Sequence, residues 1–75
     1  MKKQNFIRVV NENIGIIKSL CKVYYINSED QKDAFQDTIF QLWKSYNSFR
    51  EESKISTWIY SVSLNTLLDK RRKEK

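Results

Sequence analysis

Aromatic rings and cations are interleaved through the second half of the chain: Phe49, Arg50, Lys54, Trp58 and Tyr60, then Asn65, then the closing run KRRKEK from Lys70 to Lys75. Such rings stack on unpaired bases at about 1–3 kcal/mol per base, while Lys and Arg hold phosphates. Asn65 adds a donor and an acceptor for a base edge or a phosphate. Lys70, Arg71, Arg72 and Lys73 supply charge against a polyanion backbone. A different chemistry lies upstream, where Asp33, Gln36, Asp37 and Phe40 recur at helical spacing. Charged residues alone are usually a solvated face, but two carboxylates and an amide around an exposed aromatic resemble the anchor of a protein interface.

Neither set performs covalent chemistry. Histidine is absent and Cys21 is the only cysteine, which removes Cys/His zinc sites, disulfides and histidine acid–base catalysis. There is no phosphate-binding glycine loop and no nucleophile–base pair, so no cofactor, no metal and no enzymatic activity are expected. Cys21 falls on an apolar helical face and reads as a small core residue of a reducing compartment. The apolar stretches near the N-terminus are interrupted by Arg8, Asn11, Glu12 and Asn13, so no signal peptide or membrane span is expected and the location is cytoplasmic.

Three helices are expected to position these residues. The chain has 75 residues, no proline and one glycine, which leaves little turn chemistry for hairpins and favours one compact all-α bundle. The first helix runs from Phe6 to Tyr24 with Phe6, Val10, Ile14, Ile17, Cys21 and Tyr24 inward and Arg8, Asn11, Gly15 and Lys22 on the wet side. The second opens at Ser28, where Ser28 and Gln31 fit a capping box and Glu29 and Asp30 suit the helix dipole. Its buried stripe is Phe35, Thr38, Ile39, Leu42 and Tyr46, with Trp43 on the core's shoulder and Asp33, Gln36, Asp37 and Phe40 facing water. Asn47 to Ser53 breaks the periodicity as a loop. The third helix starts between Ser53 and Ser56 and runs into the basic end, with Ile55, Ile59 and Val62 on one flank and Tyr60, Leu64, Leu67 and Leu68 on the other. Trp58, Ser61, Asn65 and Arg72 occupy the strip between the flanks.

The formal net charge is +5, of which the closing KRRKEK run carries +4. That run suits a basic helix end beside a polyanion, and a solvated tail is the plainer alternative. Several residues also have structural roles open to them. Trp58 suits core or contact, Phe49 could pin the loop to the bundle, and Asn65 could hydrogen-bond inside the packing. Asp69 is expected to hold Arg72 through an i, i+3 pair.

The segment DQKDAFQDTIFQLW followed by FREESKISTWIYSVSLNTLLDKRRK resembles the extracytoplasmic-function (ECF) sigma factors of bacterial RNA polymerase, in the core-binding and minus-ten-reading domain, sigma region 2. Asp30, Asp33, Gln36, Asp37 and Trp43 keep the first family pattern in register, and Phe49, Arg50, Glu52, Ser53, Thr57, Trp58, Tyr60, Asn65, Asp69 and Arg72 keep the second. The resemblance implies a compact three-helix bundle in which Asp33, Gln36 and Asp37, beside Phe40, meet the clamp coiled coil of the polymerase's largest-subunit side. It further implies that Phe49, Arg50, Thr57, Trp58, Tyr60, Asn65 and Arg72 contact promoter DNA, chiefly the unpaired non-template strand, with an anti-sigma factor as a further partner. Lys54, Lys70, Arg71 and Lys73 join that DNA-binding set by their charge. The 47–53 loop would help form a pocket for a flipped base.

The chain departs from the family at Glu51, where glycine is usual, and at Ser61 and Leu64, where basic residues are frequent. Gln31 and Lys32 replace the usual alanine and acid. The helix-turn-helix domain that reads the minus-thirty-five element is not in this sequence, and the expectation is that residues 1–75 are the N-terminal domain of a longer chain. A stand-alone DNA-binding module and a polymerase-clamp module that does not melt promoters are the competing readings.

Overall fold

Helix-favouring sequence is interrupted at three places, and the computed structural model has four helices: α1 (Lys2–Glu12), α2 (Ile14–Tyr24), α3 (Ser28–Tyr46) and α4 (Ile55–Lys73). It describes residues 2–49 and 54–73, with side chains from residue 5 onward. The fold is all-α, as expected, but the first predicted helix is two. The break falls at Asn13, whose side-chain Nδ2 donates to the Val9 carbonyl at 2.9 Å while its backbone N–H donates to Val10 at 3.1 Å. An asparagine that bonds its own preceding turn competes with the helix ladder, and Gly15 two residues later weakens helix propensity further. Gly15 is exposed, and a Cβ there would meet nothing within 4 Å, so it is not a close-packing glycine.

The inward stripe of the first segment survives the break except at Ile14, which, first after the break, is only half-buried and outside the core cluster. Phe6, Val10, Ile17 and Cys21 are buried, and the last buried ring is Tyr25, one residue beyond the expected Tyr24. The turn into α3 is held by side chains. Asn27, in extended geometry, accepts from the Glu29 N–H through Oδ1 at 2.8 Å and is the N-cap in place of the expected Ser28. Gln31 Nε2 reaches back to the carbonyls of Tyr25 at 2.8 Å and Ile26 at 3.2 Å, closing the turn that the capping-box pattern assigned to the helix start alone.

The directions of the helices follow from their contacts. Lys70, near the end of α4, meets Asp33 and Asp37 near the start of α3, and Trp58, near the start of α4, lies beside Tyr46 at the end of α3. Hence α3 and α4 are antiparallel. Arg71, also near the end of α4, reaches Tyr24 at the end of α2, so α2 and α4 run the same way. Helix α4 packs on both α2 and α3, as its two apolar flanks require.

The buried line of α4 is Ile59, Ser63 and Leu67, not the two stripes read from the sequence, and Tyr60 and Leu68 are exposed. Leu42, Ala34 and Thr38 face this line from α3, and Ile17 and Cys21 from α2. Thr38 tolerates complete burial because its hydroxyl donates to the Ala34 carbonyl at 2.8 Å. Ser63 is equally buried, and its hydroxyl has no hydrogen-bond partner.

Candidate functional site

The outer face of α3 is built by periodicity. Because Ala34, Thr38 and Leu42 point into the core at spacings of four, the residues half a turn away must face water, and Asp33, Gln36, Asp37 and Phe40 all do. Phe40 keeps 58% of its surface exposed, with the Lys44 ammonium 5.4 Å from its ring centre. Trp43 belongs with this face and not with the core: it is 45% exposed. Its ring meets Phe6 of α1 in an edge-to-face arrangement with the centroids 5.0 Å apart. Phe6, Ile7, Phe35, Gln36, Ile39, Phe40 and Trp43 line a shallow apolar groove between α1 and α3.

The two carboxylates of this face are not free. Asp37 takes the Lys70 ammonium at 2.9 Å and Asp33 takes it at 3.4 Å, although 33 and 37 residues separate the partners along the chain. Only 20% of the Lys70 side chain is exposed, against 69% for Asp33 and 53% for Asp37. The hydrogen bond to Asp37, with the negative charge of both carboxylates, pushes the Lys70 amine above its ordinary range, and the partial burial that opposes this is outweighed.

The aromatic and basic residues divide between two ends. After α3 the chain folds back through bonds from the Ser48 N–H to Ser45 at 2.9 Å and from the Phe49 N–H to Tyr46 at 3.1 Å. This return sets the Phe49 ring 4.9 Å from Trp58, with Tyr46 behind Trp58 at 6.1 Å. Trp58 therefore both packs against the core and meets the Phe49 ring, which is held against the bundle. Lys54 and Thr57 are exposed on the same end. Arg50 and the rest of the expected pocket loop, 51–53, lie outside the described residues, and so does the glycine-position residue Glu51.

Tyr60 is exposed but on another side, over the surface of α2 formed by Gly15, Ile16, Ser19, Leu20 and Val23, so it is not brought to Phe49 and Trp58. Asn65 is exposed and not an internal packing residue. It lines a polar groove between α3 and α4 with Asp37, Phe40, Lys70 and Lys73. Arg71 donates to the Tyr24 carbonyl at 2.6 Å and lies 5.7 Å over the Tyr25 ring, and Arg72 pairs with Asp69 at 2.8 Å as the i, i+3 spacing predicts. Three of the four cations from Lys70 to Lys73 thus have internal anionic or carbonyl partners.

The fold and these surfaces define a small helical domain with an acidic, aromatic flank on one helix and a ring-and-cation end on another. Residues 9–75 match the Sigma-70 region 2 family, and the chain belongs to that family. Its relatives are of the ECF type. It is 35% identical over 48 residues to the ECF RNA polymerase sigma factor SigM of Mycobacterium tuberculosis, covering 64% of this chain and 24% of that protein. It is 36% identical over 42 residues to the ECF RNA polymerase sigma-E factor of Haemophilus influenzae, covering 56% and 22%. The chain thus spans about a quarter of the length of the curated relatives it matches. No solved structure matches it. Among the described residues no helix is long and apolar enough to cross a membrane.

Proposed function

We propose that this chain is the domain through which a cytoplasmic sigma factor binds core RNA polymerase and recognises and melts the minus-ten promoter element during transcription initiation, as the N-terminal part of a longer protein. Family membership over residues 9–75 supports the role in initiation. The observation that carries the division of labour is the exposure of Asp33, Gln36, Asp37 and Phe40 together on α3 while Phe49 and Trp58 meet at the opposite end of that helix. The first set is assigned to the clamp coiled coil, the second, with Arg50, Lys54 and Thr57, to the unpaired non-template strand.

Melting needs no covalent step. A surface that binds unpaired bases better than paired ones shifts the duplex toward the open state, and stacking on aromatic rings offsets the few kcal/mol lost when a base leaves the helix. Asn65 and Lys73, about two turns apart along α4 and both lining the α3–α4 groove, would hold backbone phosphate near the duplex edge. Tyr60 and Arg72, which keep the family pattern, and Lys70 and Arg71 of the basic run are the other residues assigned to DNA, and an anti-sigma factor would act by covering one or both surfaces.

The test is binding of purified core polymerase by the chain and by Asp33→Arg and Gln36→Ala at moderate salt. Both variants should lose affinity while keeping the helical circular-dichroism signal. Undiminished affinity in both would overturn the assignment of the face. A second reading, a clamp-binding module that does not melt promoters, is favoured by Ser61 and Leu64 in place of basic residues and by the internal engagement of Arg71 and Arg72. Promoter opening insensitive to Arg50→Ala and Lys54→Ala would select it.

A further inference from the structure

Lys70 is claimed by both proposed surfaces at once. By sequence it belongs to the basic run that would meet DNA, yet in the folded chain its ammonium lies between Asp37 at 2.9 Å and Asp33 at 3.4 Å, on the face assigned to polymerase. From the geometry we infer that Lys70 is an intramolecular latch: it occupies the acidic site that a polymerase cation must enter, and its release on polymerase binding presents it to DNA. This inference rests on the reading of the α3 face given above.

The steps are electrostatic. Two carboxylates converging on one ammonium already have the geometry of a cation site, and an incoming Lys or Arg must displace Lys70 or share the carboxylates with it. Displacement costs the partner whatever the internal pairs contribute. Exposed pairs are worth little singly, but Lys70 has two partners and is the least exposed of the three side chains. The residues around the pair sharpen the effect: Asn65, Asp69 and Lys73 share the groove with Lys70, Asp69 is paired with Arg72, and Arg71 is turned away to Tyr24. Lys70 and Asp37 already line this groove with Asn65 and Lys73, so once the carboxylates are taken up by the partner the Lys70 charge is left there to join the phosphate-binding set. A ligand that draws Asp33 and Asp37 away from Lys70 therefore favours phosphate binding, and by linkage phosphate that draws Lys70 away favours the protein partner. A lysine is charged across the neutral range in any case, and the carboxylates on Lys70 hold its proton more tightly still.

The measurement is the dissociation constant for purified core polymerase without DNA, for the chain and for Lys70→Met, which keeps the apolar stem and removes the charge. Lys70→Gln serves as a second variant, and helical signal and thermal midpoint verify that both fold. The latch predicts that both variants bind core about threefold to tenfold more tightly than the parent chain. Unchanged or weaker binding in folded Lys70→Met and Lys70→Gln, with binding lost in Asp37→Arg, overturns the latch and leaves the assigned face standing. Unchanged binding in Asp37→Arg overturns the face and the latch together.

Discussion

At the scale of single residues, burial without a partner leaves measurable signatures. The Ser63 hydroxyl has no hydrogen-bond partner although the residue is wholly enclosed between α2 and α3. A buried hydroxyl without a partner forfeits its hydration for nothing in return, so Ser63→Ala should raise stability by about 1 kcal/mol. In a urea melt the midpoint moves up with the slope unchanged. Cys21 is the second case. Burial pushes its thiol above the ordinary value, so the folded chain holds that proton more tightly than the unfolded chain does. The sign follows: the thiol's contribution is complete below the unfolded value, about 8.5, and is lost as pH rises toward and through the folded one. The stability difference between the parent chain and Cys21→Ala should therefore be constant from pH 6 to about 8 and shrink at higher pH. Iodoacetamide at pH 8 should label Cys21 more slowly in buffer than in urea.

At the scale of helices, what the sequence made legible was what periodicity controls. The outward placement of Asp33, Gln36, Asp37 and Phe40 follows from the 3.6-residue repeat of α3, and the structure has all four exposed. The inward stripe of the first segment was legible in the same way at Phe6, Val10, Ile17 and Cys21, but not at Ile14, beside the break, nor at the closing ring, which is Tyr25. Helix ends and breaks were not, because they depend on which of several polar side chains wins a local competition for backbone groups. Asn13 could as well have continued the helix, and Asn27 and Ser28 are both good caps standing side by side. The structure selects Asn27, since that choice leaves Gln31 free to bridge back to Tyr25 and Ile26. The consequence can be checked by mutation: Asn27→Ala should cost about 1 kcal/mol, whereas Ser28→Ala, which removes no cap, should change stability by less than about 0.5 kcal/mol. Equal losses in the two variants, measured by urea unfolding, would return the cap to Ser28.

At the scale of the whole molecule, the contacts that were illegible are those closed over long stretches of chain. The sequence shows a basic run, and nothing in its pattern says that Lys70 turns to α3, that Arg71 turns to the end of α2, or that Trp43, against Phe6, is left nearly half in water. These contacts decide which cations remain for a polyanion. Arg71 joins the last turn of α4 to the last carbonyl of α2 and covers the Tyr25 ring, tying together residues 47 positions apart. Lys73, two residues later, lies exposed in the groove with Asn65. Two neighbouring positive charges should therefore separate cleanly by experiment. Arg71→Ala loses a charge-assisted bond to a carbonyl and a cation–ring contact, and should lower stability by about 1 kcal/mol. Lys73→Ala should leave stability within about 0.5 kcal/mol and act on DNA instead. If Lys73 meets phosphate, its loss weakens binding to a fork-junction promoter fragment by the polymerase complex evenly across sequences, and the slope of log affinity against log salt falls by about 1. An unchanged salt slope in Lys73→Ala would mean that the groove between α3 and α4 does not follow the DNA backbone, and the phosphate-binding set would have to be sought at the Phe49 and Trp58 end alone.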